Sequence, residues 1–197
     1  MTGFASRHFQ PFSGQDIRTL IAAQARLRAE HPYMIWRPFD GSRRVWTYAA
    51  FANAVARFAA GLHARGVRAG DRVLVHLDNC PEAVIAWFGC AWMGAVAVTT
   101  NARSSADELA WFADHAGVVA GITQPRFASL VAGACRGLRW LAVTRTDNGD
   151  DAGSATPSPA DAFEAIDADP SALPARAHDP LRFPAASSVT SSRRVCE

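Results

Sequence analysis

Apolar and polar residues alternate along this chain in two rhythms. The clearest is helical. Tyr48, Phe51, Val55, Phe58 and Leu62 recur at steps of three and four, which puts them on one face of a helix over about 48–64. Thr47 is placed to cap its start and Gly66 to end it. An earlier helix carries Ile17, Leu20, Ile21 and Leu27, with Ser13 as the expected cap and an end near His31-Pro32. Between them, Met34-Ile35-Trp36 and Val45-Trp46-Thr47 flank Asp40-Gly41 and predict a hairpin with a loop longer than the minimum.

Beyond Gly66 the two rhythms alternate. Gly70-Asp71 reads as a turn, Arg72 to Leu77 as a strand, and Asp78-Asn79-Cys80-Pro81 as a turn into a second helix. That helix stops at Gly94, and 95–100 is a strand. A further helix spans about Ala106 to Ala116, where Ser105 and Glu108 match a capping box. Val118 to Ile122 is a strand, Arg126 to Cys135 a helix, and Trp140 to Thr144 a strand. Strands and helices in strict alternation predict an α/β fold, a parallel sheet flanked by helices.

The pattern weakens after Arg145. Residues 146–159 are rich in Asp, Gly, Ser and Pro, Asp161 to Ile166 has the look of a short helix, and no periodicity follows Asp169. Four regions result: a helical segment over 1–32, an α/β subdomain over 33–145, a linker with a short helix over 146–182, and a disordered tail over 183–197.

Residues 83–102 carry no charge over about the length of a membrane span. Pro81-Glu82 and Gly94 divide that stretch into a buried helix and a buried strand, which give the same hydropathy without crossing a bilayer. Composition narrows the function classes. The chain has 197 residues, 49% hydrophobic and 19% charged, with a net charge of +2, which suits a globular protein and gives no footprint for nucleic acid or an anionic membrane. All 20 cationic residues are arginine. Chemistry that requires a lysine ammonium, such as a Walker-type phosphate loop or a Schiff base, is excluded, because an arginine fork does not replace it.

Cys80, Cys90, Cys135 and Cys196 show no C-x-x-C or metal-type spacing. They read as buried thiols of a cytoplasmic protein, and residues 1–15 hold no apolar core of a secretory signal. The six histidines, His8, His31, His63, His76, His115 and His178, have no Cys or Ser partner at a telling interval and read as surface or satisfied core positions.

Several segments resemble one family. Thr47-Tyr48 opens a helix, Ala60-Gly61-Leu62 closes it, and the run from Gly66 to Val73 follows. Asn79 and Glu82, Gly94-Ala95-Val96, Asn101-Ala102-Arg103 and Asp107-Glu108-Leu109 come after them at the right intervals. This ordered series, over about Ile17 to Pro180, resembles the start of the AMP-binding, adenylate-forming acyl-CoA ligases. The resemblance implies an incomplete N-terminal subdomain of that fold. It also implies a full-length enzyme that uses ATP and Mg to turn a carboxylic acid into an acyl-adenylate, then passes the acyl group to CoA. Taken alone, most of the matching residues have structural reasons: turn glycines, and acceptors at helix starts.

Arg103 is the one candidate site residue. Ligases of this kind often carry Asn-Pro-Arg here, with the arginine near the phosphates of CoA. This chain has alanine in place of that proline. Val75 to Glu82 resembles ligases for medium-chain or carnitine-related acyl groups. The family's glycine-rich phosphate loop should follow Arg182, but residues 183–197 contain no glycine and no lysine. A shifted reading frame or a shortened chain would each produce that change. The expectation is a chain without adenylation activity of its own; the alternative is a non-catalytic α/β module that binds a nucleotide or docks onto a full-length ligase. No Gly-x-Gly-x-x-Gly turn supports the nucleotide version.

Overall fold

The computed structural model describes residues 16–147, 150–151, 160–175 and 186–188. Helix α1 (Ile17–Leu27) starts one residue after Asp16, whose carboxylate accepts from Thr19 N at 2.7 Å. Asp16, and not Ser13, is therefore the cap, because its side chain lies three residues before the amide it accepts from; Ser13 lies outside the described residues. Strands β1 (Pro32–Trp36) and β2 (Arg44–Thr47) pair antiparallel, with Ile35 opposite Val45, as the pattern around Asp40-Gly41 predicts.

Helix α2 (Tyr48–Ala64) is capped by Thr47, which accepts from Ala50 N at 3.2 Å, and it buries the expected stripe of Phe51, Val55, Phe58 and Leu62. The alternating units follow: β3 (Arg72–His76), α3 (Pro81–Met93), β4 (Val96–Thr99), α4 (Ala106–Ala116), β5 (Val118–Thr123), α5 (Pro125–Ala134) and β6 (Leu141–Val143). The uncharged stretch is thus α3 and β4, split at Gly94 with φ of 85°, and no helix among the described residues is long and apolar enough to cross a membrane.

Two short strands, β7 (Thr146–Asp147) and β8 (Asp150–Asp151), pair with each other. The segment expected to be a linker with a short helix holds strand β9 (Ala160–Ala162), then a 3-10 turn at Phe163–Ala165 and another at Pro170–Ala172. β9 joins the sheet beside β6, and Phe163 and Ile166 are buried in the core. Three residues of the segment expected to be unfolded form β10 (Ala186–Ser188), parallel to β4; its remainder lies outside the described residues.

The sheet runs β10-β4-β3-β5-β6-β9, and every pairing is parallel. Its side chains alternate between two cores. Val73, Val75, Ala97 and Ile122 face α2 and α3, with α1 outside them, and Leu74, Val98, Leu141 and Val143 face α4 and α5. Near-continuous apolar strands are what burial on both faces requires. Gly61 allows the chain after β9 to cross α2 at close range: a Cβ there would lie 2.5 Å from the Ile166 carbonyl carbon.

Candidate functional site

The strand order identifies one place for a ligand. β3 is followed by β4 on one side and, after a second crossover, by β5 on the other. Helix α3 packs on one face and α4 on the opposite one. The connections diverge there, and in sheets of this type the crevice at the carboxyl ends of such strands is where ligands bind. The loops at that edge are Leu77–Cys80, Thr100–Ser105 and the turn at Gln124.

Between β3 and β5 the edge is closed by a polar knot. Gln124 is 1% exposed, yet every one of its polar atoms is engaged. Its Nε2 donates to Asp78 Oδ2 at 3.0 Å and to Asp147 Oδ1 at 2.8 Å, and its Oε1 accepts from Asp78 N at 2.8 Å. Arg126 forms an ion pair with Asp78 and lies over the Phe127 ring, 4.8 Å from its centroid. A buried amide satisfied this completely rigidifies the loops it joins. Sequence reading missed this knot. Its only trace was Gln124-Pro125 directly after a strand.

His76 lies beneath. It ends β3, is 0% exposed, and packs edge-on against Phe127. Its Nδ1 lies 2.8 Å from Thr100 Oγ1, while Nε2 is buried with no hydrogen-bond partner among the described residues. It is a core histidine, as one of the two readings had it, but satisfied at one nitrogen only. Burial holds its pKa below the usual imidazole value, because water no longer stabilises the charged form.

Arg103 is exposed on the turn between β4 and α4. The turn is braced locally. Asn101 Oδ1 accepts from Arg103 N at 2.9 Å, and Asn101 O accepts from Ser104 N at 2.9 Å. The Arg103 guanidinium forms no ion pair among the described residues. Ser105 and Glu108 form the predicted capping box, with Ser105 N donating to Glu108 Oε2 at 2.8 Å. Asn79 is exposed at the head of α3, and Glu82 lies 3.8 Å from Arg44 in an ion pair. Asp71 pairs with Arg139 at 3.2 Å and accepts from Arg68 N at 2.9 Å; it does not pair with Arg72. The Arg72 guanidinium reaches instead across to the carbonyls of Ala116 and Gly117, at 2.8 and 2.9 Å.

The three helix starts at this edge offer a nucleotide triphosphate fewer free amides than an uncapped, proline-free start would. α3 and α5 begin on Pro81 and Pro125, which have no amide hydrogen to offer. In α4 the capping box engages the amides of Ser105 and Glu108. With no lysine in the chain, the described residues do not fit the phosphates of ATP with its magnesium. A guanidinium such as that of Arg103 is a planar fork that can bond a phosphate in two places. Among the described residues no group of three or more His, Cys, Asp or Glu could hold a metal ion. The described thiols are free and buried, and burial pushes Cys80 and Cys90 up to about 12, so neither is a nucleophile at neutral pH.

A family model described as AMP-binding enzyme matches residues 21–183. The chain belongs to that family. Crotonobetaine/carnitine–CoA ligase from Salmonella paratyphi A is 36% identical over 114 residues, which are 58% of this chain and 22% of that ligase. The enzyme of the same name from Salmonella typhimurium is 35% identical over the same length. The chain therefore spans under a quarter of the curated relatives it matches. Among solved structures, acetoacetyl-CoA synthetase from Streptomyces lividans superposes with a TM-score of 0.68 at 23% identity, over 79% of this chain and 26% of that one. A benzoate CoA ligase from Burkholderia xenovorans gives 0.62 at 19% identity, over 77% and 28%. These structures share the fold of the sheet and its helices, which match only part of each of those chains.

Proposed function

We propose that this chain is the opening part of the binding domain of an acid–thiol ligase, and that Arg103 contacts a phosphate of CoA. The observation that carries this reading is the placement of Arg103. It stands on a braced turn at the switch-point edge, exposed, with no ion-pair partner among the described residues. In the longer enzyme the reaction joins a carboxylic acid to ATP and passes the acyl group to CoA. The 36% identity to a ligase named for crotonobetaine and carnitine supports a small betaine-type acid as its substrate. Free, buried thiols support a cytoplasmic setting.

The 197-residue chain by itself does not form an acyl-adenylate. That step rests on positioning and charge stabilisation of the phosphates, and the groups for it are missing from the described edge and from the lysine-free composition. Pyrophosphate exchange into ATP is the test: label incorporated above a no-protein control refutes inactivity. For Arg103, titration of CoA into the chain and into Arg103→Ala is decisive, since equal affinities remove the assignment.

Docking onto a full-length ligase is the second reading. It is favoured by Ile35 at 50% exposure and Val45 at 41%, paired across a sheet that has two strands among the described residues. Saturable binding to a full-length ligase that Ile35→Asp weakens supports it, and no binding removes it.

A further inference from the structure

We infer that His76 is a positioning residue: through Thr100 it sets the turn that presents Arg103. The inference rests on the reading of Arg103 as a phosphate contact. Thr100 is the first residue after β4 and the base of the turn. Two bonds from β3 hold it. Thr100 N donates to Val75 O at 3.3 Å, and Thr100 Oγ1 meets His76 Nδ1 at 2.8 Å. The first continues the sheet ladder by one residue. The second is the side-chain tie, and it comes from a group with no freedom of its own. His76 is 0% exposed, its ring packs on Phe127, and its backbone carbonyl accepts from Thr123 Oγ1 at 2.9 Å.

From Thr100 the order passes directly to Arg103. Asn101 follows at once and folds the turn by accepting from Arg103 N and Ser104 N. The capping box then ties Ser105 into α4. A turn braced at both ends presents its guanidinium in a narrow range of positions, and a ligand that meets a preformed site loses less entropy on binding. Among the described residues the base of the turn has one external side-chain brace, and His76 supplies it. A histidine in a fully buried place with one nitrogen left unpaired is an expensive choice for packing alone, since an aliphatic residue would fill the space without an orphaned polar atom.

The test is calorimetric titration of CoA, with adenosine 3′,5′-bisphosphate as the shorter probe, into the full chain in phosphate-free buffer. Circular dichroism of each variant checks that it is folded. Arg103→Ala is expected to weaken binding about tenfold, the loss of one charge-assisted contact. Thr100→Val keeps the shape and removes the hydroxyl, and should weaken binding roughly threefold, while Thr100→Ser should bind as the parent does. His76→Phe should match Thr100→Val. In the Arg103→Ala background, Thr100→Val should have no further effect, because the two changes act through one contact. If Arg103→Ala weakens binding but Thr100→Val and His76→Phe do not, the positioning role is overturned and the phosphate contact stands. If Thr100→Val weakens binding equally with and without Arg103, His76 acts on the fold and not on the turn. If the chain does not bind CoA, or Arg103→Ala binds it unchanged, the phosphate reading is overturned and this inference with it.

Discussion

Gly61→Ala should destabilise this protein, although it replaces the poorest ordinary helix former with the best one inside a helix. In an exposed helix interior the change would stabilise by about 1 kcal/mol. Gly61 is not exposed. A Cβ there would stand 2.5 Å from Ile166 C, 2.6 Å from Asp167 N and 2.8 Å from Ile166 O. Carbon atoms attract at about 3.5–4.0 Å, so the chain at 166–167 must move by roughly 1 Å. The obstacle is backbone, and no rotamer change relieves it. The movement also pulls on Phe163, stacked 4.8 Å from Phe58, and on the bond from Ala168 N to Arg57 O. Overpacking of this kind costs about 1–3 kcal/mol, and the rigid backbone on the far side places it near 3. The net effect is then about 2 kcal/mol of destabilisation. Urea unfolding followed by circular dichroism reads it as a midpoint about 1 M lower, at an m-value of about 2 kcal/mol/M. Gly133 in α5 is the control, because nothing lies within 4 Å of a Cβ there, and Gly133→Ala should raise the midpoint. A midpoint for Gly61→Ala at or above that of the parent would show that the chain after β9 does not pack against α2 as described.

Two further measurements follow from burial. The folded state disfavours the charged form of His76, so the unfolded chain takes up a proton first as pH falls. Its contribution to stability is whole above the ordinary value of about 6.5 and is lost as pH drops below it. The urea midpoint should fall between about pH 7 and pH 5, and it should fall less in His76→Phe; equal slopes would mean the imidazole is not desolvated. For the thiols, Cys80 and Cys90 are buried and pushed up to about 12, so thiol-reactive dyes at about pH 8 should label neither residue until denaturant is added. Mass-spectrometric mapping of dye on either residue in the folded chain would contradict that burial.

The sheet-and-helix order of 48–144 was legible because each element there is signalled locally. Thr47, Ser105 and Gly94 mark their own helix ends through bonds and φ angles that involve only neighbours in sequence. The segment after Arg145 was not legible for the opposite reason. β9 is three residues long, too short for any rhythm, and it is a strand because β6 offers an open edge. Phe163 and Ile166 gain their burial from α2, about a hundred residues earlier in the chain. Asp71 shows both kinds of contact: it accepts locally from Arg68 N, and Arg139 reaches it only through the fold.

The candidate site divides in the same way. Asn101-Ala102-Arg103 was visible as a motif, and Asn101 bonds within its own turn, so local sequence determined its shape. The amino acids likewise decided by themselves that no lysine chemistry is available and that α3 and β4 are too short to span a bilayer. What only the tertiary structure decided is which residues meet at the carboxyl edge. Gln124 joins Asp78 across 46 positions and Asp147 across 23, and His76 reaches Thr100 across 24. Such contacts have no sequence signature because parallel strands register through crossovers, and the side chains at their ends are brought together by strand order rather than by spacing.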